Sequence, residues 1–463
     1  MMLDGHVALA GRHPHDFTVQ YPPRREYVMD HFRAPAGTPK VLEAVASARR
    51  LLLYVHVPFC EARCSYCNFA VDTHGTPERQ ARYVRALCTA LGRLSGAVRR
   101  DVEVPGIDLG GGTPTLLGMP LLESLLEALK PWAAKSASPF PLSVETTPAV
   151  AAHEPDKLRL LAQGGVSRVS LGVQSTAGAV LEAVRRTAQV GQADRALAAL
   201  RRAGFQRVNA DLIFGLPGQG PADFAADVAR VADAGVDSVT TYDCLYRGKG
   251  RALTRVTPSL PTPSEYARLY DAAYEVLTAR GFHAPYGSLN FSRHAGETGT
   301  SPYFEGRLLD GLPYVGVGNY ASTLCGGHWG FAPYKVDAWV EQVEGGAVLP
   351  LSDLYALPPQ ERVAKQVLLS LSFGRLDPAR FQTAHGVSLQ QACGPAVARA
   401  LEEGWLVEAA GEYRVAPGRF DALPRLRSLF YPARAISWLQ SNGPSLSPLT
   451  SGGRATVPAA APR

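Results

Sequence analysis

YVHVPFCEARCSYCNF, residues 54–69, runs an apolar, β-branched stretch from Tyr54 to Phe59 straight into three cysteines, Cys60, Cys64 and Cys67, spaced C-x3-C-x2-C. The stretch reads as a strand, and the cysteines as the loop that leaves it. Thiolates set this closely hold a soft metal, and both zinc and iron–sulfur chemistry favour cysteine sulfur. A structural zinc site completes its tetrahedron with a fourth Cys or His nearby. His56 lies inside the apolar run and His74 follows a polar turn, so neither supplies the usual second ligand pair. Three ligands leave one metal position open, which is the arrangement of a reactive site.

Working outward, short apolar runs at 51–57, 107–109, 142–146, 167–173, 208–214 and 236–242 alternate with helical stretches at 77–94, 119–133, 153–163, 189–203, 221–234 and 263–281. Strand followed by helix, repeated with short loops, predicts a parallel sheet with crossover helices. Six units predict an α/β fold, an incomplete (β/α)6 barrel. Chemistry in such barrels sits at the C-terminal ends of the strands. The cysteine loop falls after the first strand and the glycine run Gly110-Gly111-Gly112 after the second. Glu145 lies on the third, Gln174 after the fourth, Asp211 on the fifth and Tyr242 on the sixth. Residues scattered over nearly two hundred positions are thereby expected on one rim.

The cysteine loop resembles that of the radical S-adenosylmethionine (SAM) enzymes, and the resemblance runs from about Tyr54 to Leu426. The ordered stretches LGGGTPT (109–115), SVETTP (143–148), RVSLGVQS (168–175) and NADLIFGLPGQ (209–219) are similar to the oxygen-independent coproporphyrinogen III oxidase-like branch. The resemblance implies a [4Fe–4S] cluster on Cys60, Cys64 and Cys67, its fourth iron chelated by SAM. It implies a SAM site built from Tyr54, Tyr66, Gly111, Gly112, Thr113, Glu145, Gln174, Arg186, Asp211 and Tyr242. Among these, Tyr66 matches an aromatic that flanks adenine and Arg186 an arginine facing the SAM carboxylate, with Arg185 a competing register. The glycines could equally make only a tight strand-to-loop turn. Glu145, on an apolar strand, calls for a cationic partner, and the SAM ammonium would be one.

Two departures separate the branches of that family. The porphyrinogen oxidases carry a further cysteine two positions after the last ligand, where this chain has Phe69. The haem-chaperone branch carries HN-x-x-YW, where residues 299–304 read GTSPYF. The sequence is therefore read as a class C methyl- or methylene-transferase, a C-methyltransferase or cyclopropanase. Such an enzyme uses two SAM molecules to alkylate an sp2 carbon of an aromatic or heteroaromatic natural product, as in antibiotic biosynthesis. Phe304, Glu305 and Ser322 fall where the second SAM is held. Coproporphyrinogen III dehydrogenase and a haem chaperone without turnover stand as alternatives.

Composition bounds the rest. With 463 residues, 46% hydrophobic and 19% charged, the chain can bury a large core. No run of 18 apolar residues and no secretory signal appear, and seven cysteines, three on one loop, point to metal use in a reducing compartment. A cytoplasmic monomer is expected, with an external electron donor such as flavodoxin or ferredoxin, room for a partner protein, and neither nucleic acid nor membrane as partner. The segments expected are an N-terminal extension (1–50) lying over the site, the partial barrel (51–283) and a barrel-closing segment (284–350). A winged-helix-like domain (351–430) and a tail (431–463), disordered from 441, follow. The stretch SLQQACGPAVARALEEG is too poor in basic residues for a DNA-reading helix.

Overall fold

The computed structural model describes residues 2–246, 248–257 and 259–444. Its centre is a sheet of parallel strands, β1 (Leu52–Val57), β2 (Ile107–Gly111), β3 (Leu142–Thr146), β4 (Arg168–Gln174), β5 (Arg207–Phe214) and β6 (Ser238–Asp243). The strands pair side by side in that order, all in parallel. Burial along β1 is almost continuous, as it must be in a strand covered on both faces. Helices Pro77–Ala97, Met119–Ala133, Pro155–Gln163, Ala193–Ala203, Pro221–Asp233 and Pro263–Ala279 make the crossovers. All but Ala193–Ala203 carry a proline in the first two positions, which suits a first helical turn, and Thr76 and Thr262 accept backbone N–H donors as caps.

The strand expected at 107–109 runs on to Gly111, because the glycines continue the β2 pairing with β1 to Val57. The helices expected from 153 and 189 begin at Pro155 and Ala193, after turns the apolar pattern could not locate.

Beyond β6 the sheet keeps growing. Strand β7 (Asn290–Ser292) adds antiparallel to β6, while β8 (Tyr314–Val317) adds parallel to the far side of β1. Three more strands, β9 (Ser322–Cys325), β10 (His328–Phe331) and β11 (Asp353–Ala356), follow β8 as antiparallel neighbours. Among the described residues the eleven strands run from β11 to β7 without a pairing between those two edges. Residues 290–356 thus lengthen both ends of the sheet, which places the first strand, with its cysteines, in the middle.

Helices Pro359–Ser370, Pro378–His385 and Leu389–Glu402 lead to a hairpin, β13 (Leu406–Ala409) and β14 (Glu412–Val415), with β12 (Arg375–Leu376) on its open side. Ala410 and Gly411 both take positive φ at the turn, as a two-residue hairpin requires. A last helix runs Ala433–Asn442, so the tail's expected disorder does not begin at Ser441. The rest of that expectation, from 445, lies outside the described residues. The extension 1–50 is helical over Met2–Arg12, Arg25–His31 and Thr38–Ser47. It is clamped by the buried carboxylate of Glu361, which accepts from the phenols of Tyr21 and Tyr27, the latter at 2.7 Å.

Candidate active site

The cysteine loop is tied at both ends to its surroundings. Cys60 N–H donates to Asp72 O at 3.1 Å, Cys67 N–H to Cys64 O at 3.1 Å, and Ser65 N–H to Val184 O at 3.0 Å. None of the three cysteines is in a disulfide, and all are partly accessible. Cys60 Sγ lies 3.7 Å from Thr113 Oγ1. Burial, together with the neighbouring Cys67 and Cys64 charges, pushes the Cys60 thiol up to about 11. A metal that takes this sulfur must therefore displace its proton.

His56 is not a ligand. Its Nε2–H donates to Ala70 O at 2.9 Å, which leaves Nδ1 to accept from the Tyr54 hydroxyl at 3.3 Å. Burial drives its pKa down to about 4, so the ring is neutral. His74 is exposed. The fourth-ligand question thus closes against both histidines.

The glycine run is dictated by close packing. A Cβ on Gly110 would lie 2.6 Å from Glu145 Oε1, on Gly111 2.4 Å from His56 Nδ1, and on Gly112 2.6 Å from Phe59 O. Gly111 also sits at φ +116°, outside the range of other residues. Gly111 N–H donates to Glu145 Oε2 at 3.2 Å, and Thr113 N–H to Phe59 O at 2.8 Å. The run threads the β2 terminus between the cysteine loop and Glu145.

Three carboxylates then meet from β2, β3 and β5. Glu145 is pushed up to about 8 by burial and by the charges of Asp211 and Asp108. Asp108, on β2, is pushed up to about 7, again chiefly by burial. Asp211 is raised by burial too, although it accepts from Ser170 Oγ at 2.6 Å and Asn209 Nδ2 at 2.8 Å. Asp108 Oδ2 accepts from Ser301 at 2.8 Å, while among the described residues its buried Oδ1 has no hydrogen-bond partner. Tyr242 is 42% exposed at the open rim. Its neighbours enclose it enough, and Asp211 and Glu145 lie near enough, to hold its phenol well above the ordinary range.

Arg186, and not Arg185, reaches the cysteine loop. Its Nη1 reaches Cys64 Sγ at 3.6 Å and donates to the Tyr66 hydroxyl at 3.2 Å, while Nη2 donates to Gly172 O. Arg185 is exposed. Gln174 adopts φ +68° at a register shift that ends β4. Tyr66 packs against an apolar cluster that includes Cys244 and Tyr246.

Of the three residues placed at a second SAM, Phe304 joins Tyr54 and Tyr303 in one aromatic cluster. Glu305 is already engaged, since Oε1 accepts from Arg380 at 3.1 Å and Oε2 from Thr298 at 2.9 Å. Ser322 opens β9, opposite Phe331 of β10. Sequence reasoning passed over Asp108, Arg168 and Arg307, whose charges all act on this centre. A charged residue inside the apolar stretch IDLGG was the available signal for Asp108.

Residues 54–231 match the Radical SAM superfamily. A haem chaperone HemW of Mycobacterium tuberculosis is 31% identical over 351 residues, 72% of this chain and 86% of that protein. The chain belongs to the radical SAM superfamily. An oxygen-independent coproporphyrinogen III oxidase of Paracoccus denitrificans is 30% identical over 261 residues, and this radical SAM chain spans 56% of its length. Coproporphyrinogen III oxidase of Escherichia coli has the same fold, with a TM-score of 0.69 at 23% identity, covering 86% of this chain and 94% of that one. These relatives carry the names of an oxidase and a chaperone, so the class C expectation draws no support from them.

The donors fit the cluster that the superfamily implies. Among the described residues no set of side chains closes on a point the size of a single metal ion. The three cysteines are nevertheless near enough for the charges of Cys64 and Cys67 to raise Cys60. Thiols spread around a multi-iron cubane stand farther apart than the ligands of one ion. No helix among the described residues is long and apolar enough to cross a membrane.

Proposed function

We propose that this chain binds a [4Fe–4S] cluster through Cys60, Cys64 and Cys67, binds SAM across the β1–β6 rim, and oxidises a cyclic substrate of the tetrapyrrole class. The reaction is that of an oxygen-independent coproporphyrinogen III dehydrogenase. One observation carries the SAM half of this reading. Three carboxylates, Asp108, Glu145 and Asp211, gather in one desolvated centre on β2, β3 and β5, where Asp211 raises the pKa of the other two. Ionised carboxylates out of water need cations, and SAM brings an ammonium and a sulfonium.

When bound, the cluster supplies the electron that splits SAM into methionine and a 5′-deoxyadenosyl radical. The chain's own work is placement. Glu145 and Asp211 hold the cationic and hydroxyl groups of SAM, and Gly111 to Thr113 keep the backbone low enough to admit them. Arg186 meets the SAM carboxylate and, through Tyr66, sets the adenine wall. Tyr242 stands protonated at the mouth, where substrate enters.

The substrate half rests on what the relatives' names carry, an oxidase of coproporphyrinogen III and a haem chaperone. A second reading, alkyl transfer from a second SAM to a heteroaromatic natural product, is favoured by Phe69. That residue is 56% exposed where the resemblance places an oxidase cysteine. The engagement of Glu305 by Arg380 weighs against it.

The deciding experiment incubates reduced, cluster-loaded protein with methyl-deuterated SAM and coproporphyrinogen III, and reads products by mass spectrometry. Decarboxylated porphyrinogen with undeuterated 5′-deoxyadenosine is the result expected. S-adenosylhomocysteine and deuterium in the 5′-deoxyadenosine, with a heteroaromatic acceptor, would assign alkyl transfer instead. Stoichiometric haem binding with no SAM cleavage would assign the chaperone role.

A further inference from the structure

At the end of β6 lies a cavity of about 530 Å³ including its open mouth. Its walls are aromatic, formed by Phe17 of the N-terminal extension, Tyr246, Tyr266 and Phe420. An aromatic lining with a few polar side chains is that of a small-molecule pocket. Tyr246 and Cys244 also belong to the apolar cluster that carries Tyr66, so one wall divides this cavity from the cysteine loop. Tyr242 of the rim and Asp243 of the cavity are consecutive residues on β6.

Three charged or titratable side chains line the same space, Arg427, Asp243 and His15. Arg427 is 5% exposed, yet among the described residues it makes no ion pair. Its one hydrogen bond goes from Nη1 to Phe17 O at 3.5 Å, and its buried Nε has no partner. Burial lowers its pKa, and the charge of Asp243 recovers only part of that cost. A guanidinium buried in this way is destabilising unless something anionic and bidentate meets it. The protein offers a carbonyl at the limit of hydrogen bonding and the charge of Asp243 without a hydrogen bond, which leaves the guanidinium's donors free for an anionic group brought by a ligand. Asp243 lines the same space, and its carboxylate repels a bare anion and favours one that also carries an N–H. His15 lies edge-on to Tyr246 and Tyr266, with ring centroids 6.3 Å away in each case.

We propose that this cavity binds a flat heteroaromatic ring that bears a carboxylate and a ring N–H, the carboxylate on Arg427 and the N–H on Asp243. The ring lies between Phe17, Phe420 and the two tyrosines. Taking that ring to be one arm of the substrate rests on the reading above; the binding itself does not. A pyrrole or indole acid satisfies both polar walls at once, whereas a carboxylate without the N–H satisfies one.

The test uses the full-length protein, indole-2-carboxylate, the neutral indole-2-carboxamide, and benzofuran-2-carboxylate, which keeps the charge and lacks the N–H. Calorimetric titration should give at least about tenfold tighter binding for the indole acid than for the amide, with the benzofuran acid in between. Arg427→Gln should erase the preference for the acid, and Arg427→Lys should keep part of it. Because Arg427 also braces the extension, a crystal structure of the unaltered protein with 5-bromoindole-2-carboxylate provides a second arm, its bromine expected between Phe17 and Phe420. Equal binding of acid and amide, or bromine density only outside this cavity, overturns the proposal. None of these measurements requires SAM cleavage, so absence of porphyrinogen turnover would count against the reaction and leave the cavity standing.

Discussion

Glu145 shows how a single side chain can carry both a stability cost and a binding function. Its carboxyl is held near 8 in the folded chain against about 4.5 for an ordinary glutamate. The folded state therefore holds a proton that the unfolded chain gives up, and stability falls as pH rises from about 4.5 to 8. The same sign holds for Asp108, near 7. Urea midpoints of the metal-free protein should drop across pH 5 to 8.5, by an amount on the order of a few kcal/mol. Glu145→Gln, neutral at every pH, should flatten that slope; an unchanged slope would place the titration elsewhere. The loss appears in SAM binding, where removing a hydrogen bond to a charged group costs about 1.5–3 kcal/mol. Glu145→Gln should accordingly weaken SAM by about one to two orders of magnitude in equilibrium dialysis. Each of Cys60→Ala, Cys64→Ala and Cys67→Ala should abolish SAM cleavage and lower bound iron, as read by metal analysis and visible absorbance. The cysteines were legible because their spacing is local, and Glu145 because a charge on an apolar strand is conspicuous. Arg307 was not legible, since the Tyr314 ring 4.4 Å from it belongs to a strand that only the folded sheet brings near.

At the scale of elements, the strand–helix alternation gave β1 to β6 and their crossovers, because parallel strands buried on both faces leave long apolar runs. The additions at the two sheet edges were harder to read. Strands β7 to β11 are three or four residues long, and four residues of a half-covered strand carry almost no periodicity. The direction of the cysteine loop is set instead by the glycines of β2. Gly111→Ala puts a methyl group 2.4 Å from the His56 ring, in a backbone conformation that alanine disfavours. His56 cannot yield, being held at both nitrogens. The substitution should cost on the order of 3 kcal/mol and misplace the loop, lowering iron content together with the urea midpoint. Gly92→Ala is the control. Gly92 lies in the helix Pro77–Ala97 with nothing within 4 Å of an added Cβ, so alanine there should stabilise by about 0.5–1 kcal/mol. Equal effects of the two would mean that the glycine run is a flexible turn and nothing more.

Over the whole molecule, the first fifty residues and the last helices hold each other across the sheet. His6 Nδ1 lies 3.0 Å from Ser428 O, Lys365 Nζ donates to Tyr21 O at 3.0 Å, and Glu361 takes the phenols of Tyr21 and Tyr27. The chain between these anchors carries His15 and Phe17 to the β6 rim, so the wall of the aromatic cavity depends on a carboxylate placed in a helix far away in sequence. Only the piece QYPPRREY hinted at such a role, through resemblance, because a clamp made of one glutamate and two tyrosines leaves no periodic trace. Glu361→Ala leaves two buried hydroxyls without their acceptor, at about 1–3 kcal/mol for each group left unmet. The extension should feel that cost first. Hydrogen exchange should accelerate over residues 14–28 while the amides of β1 to β6 keep their protection, because the parallel sheet is held by its own ladder and crossover helices. Uniform acceleration would mean that extension and sheet unfold as one unit, and the rim would then be rigid from the outset. Selective acceleration would make the N-terminal extension a separable cover, held over the β6 rim by Glu361 and opened without disturbing the strands that carry Cys60, Glu145 and Asp211.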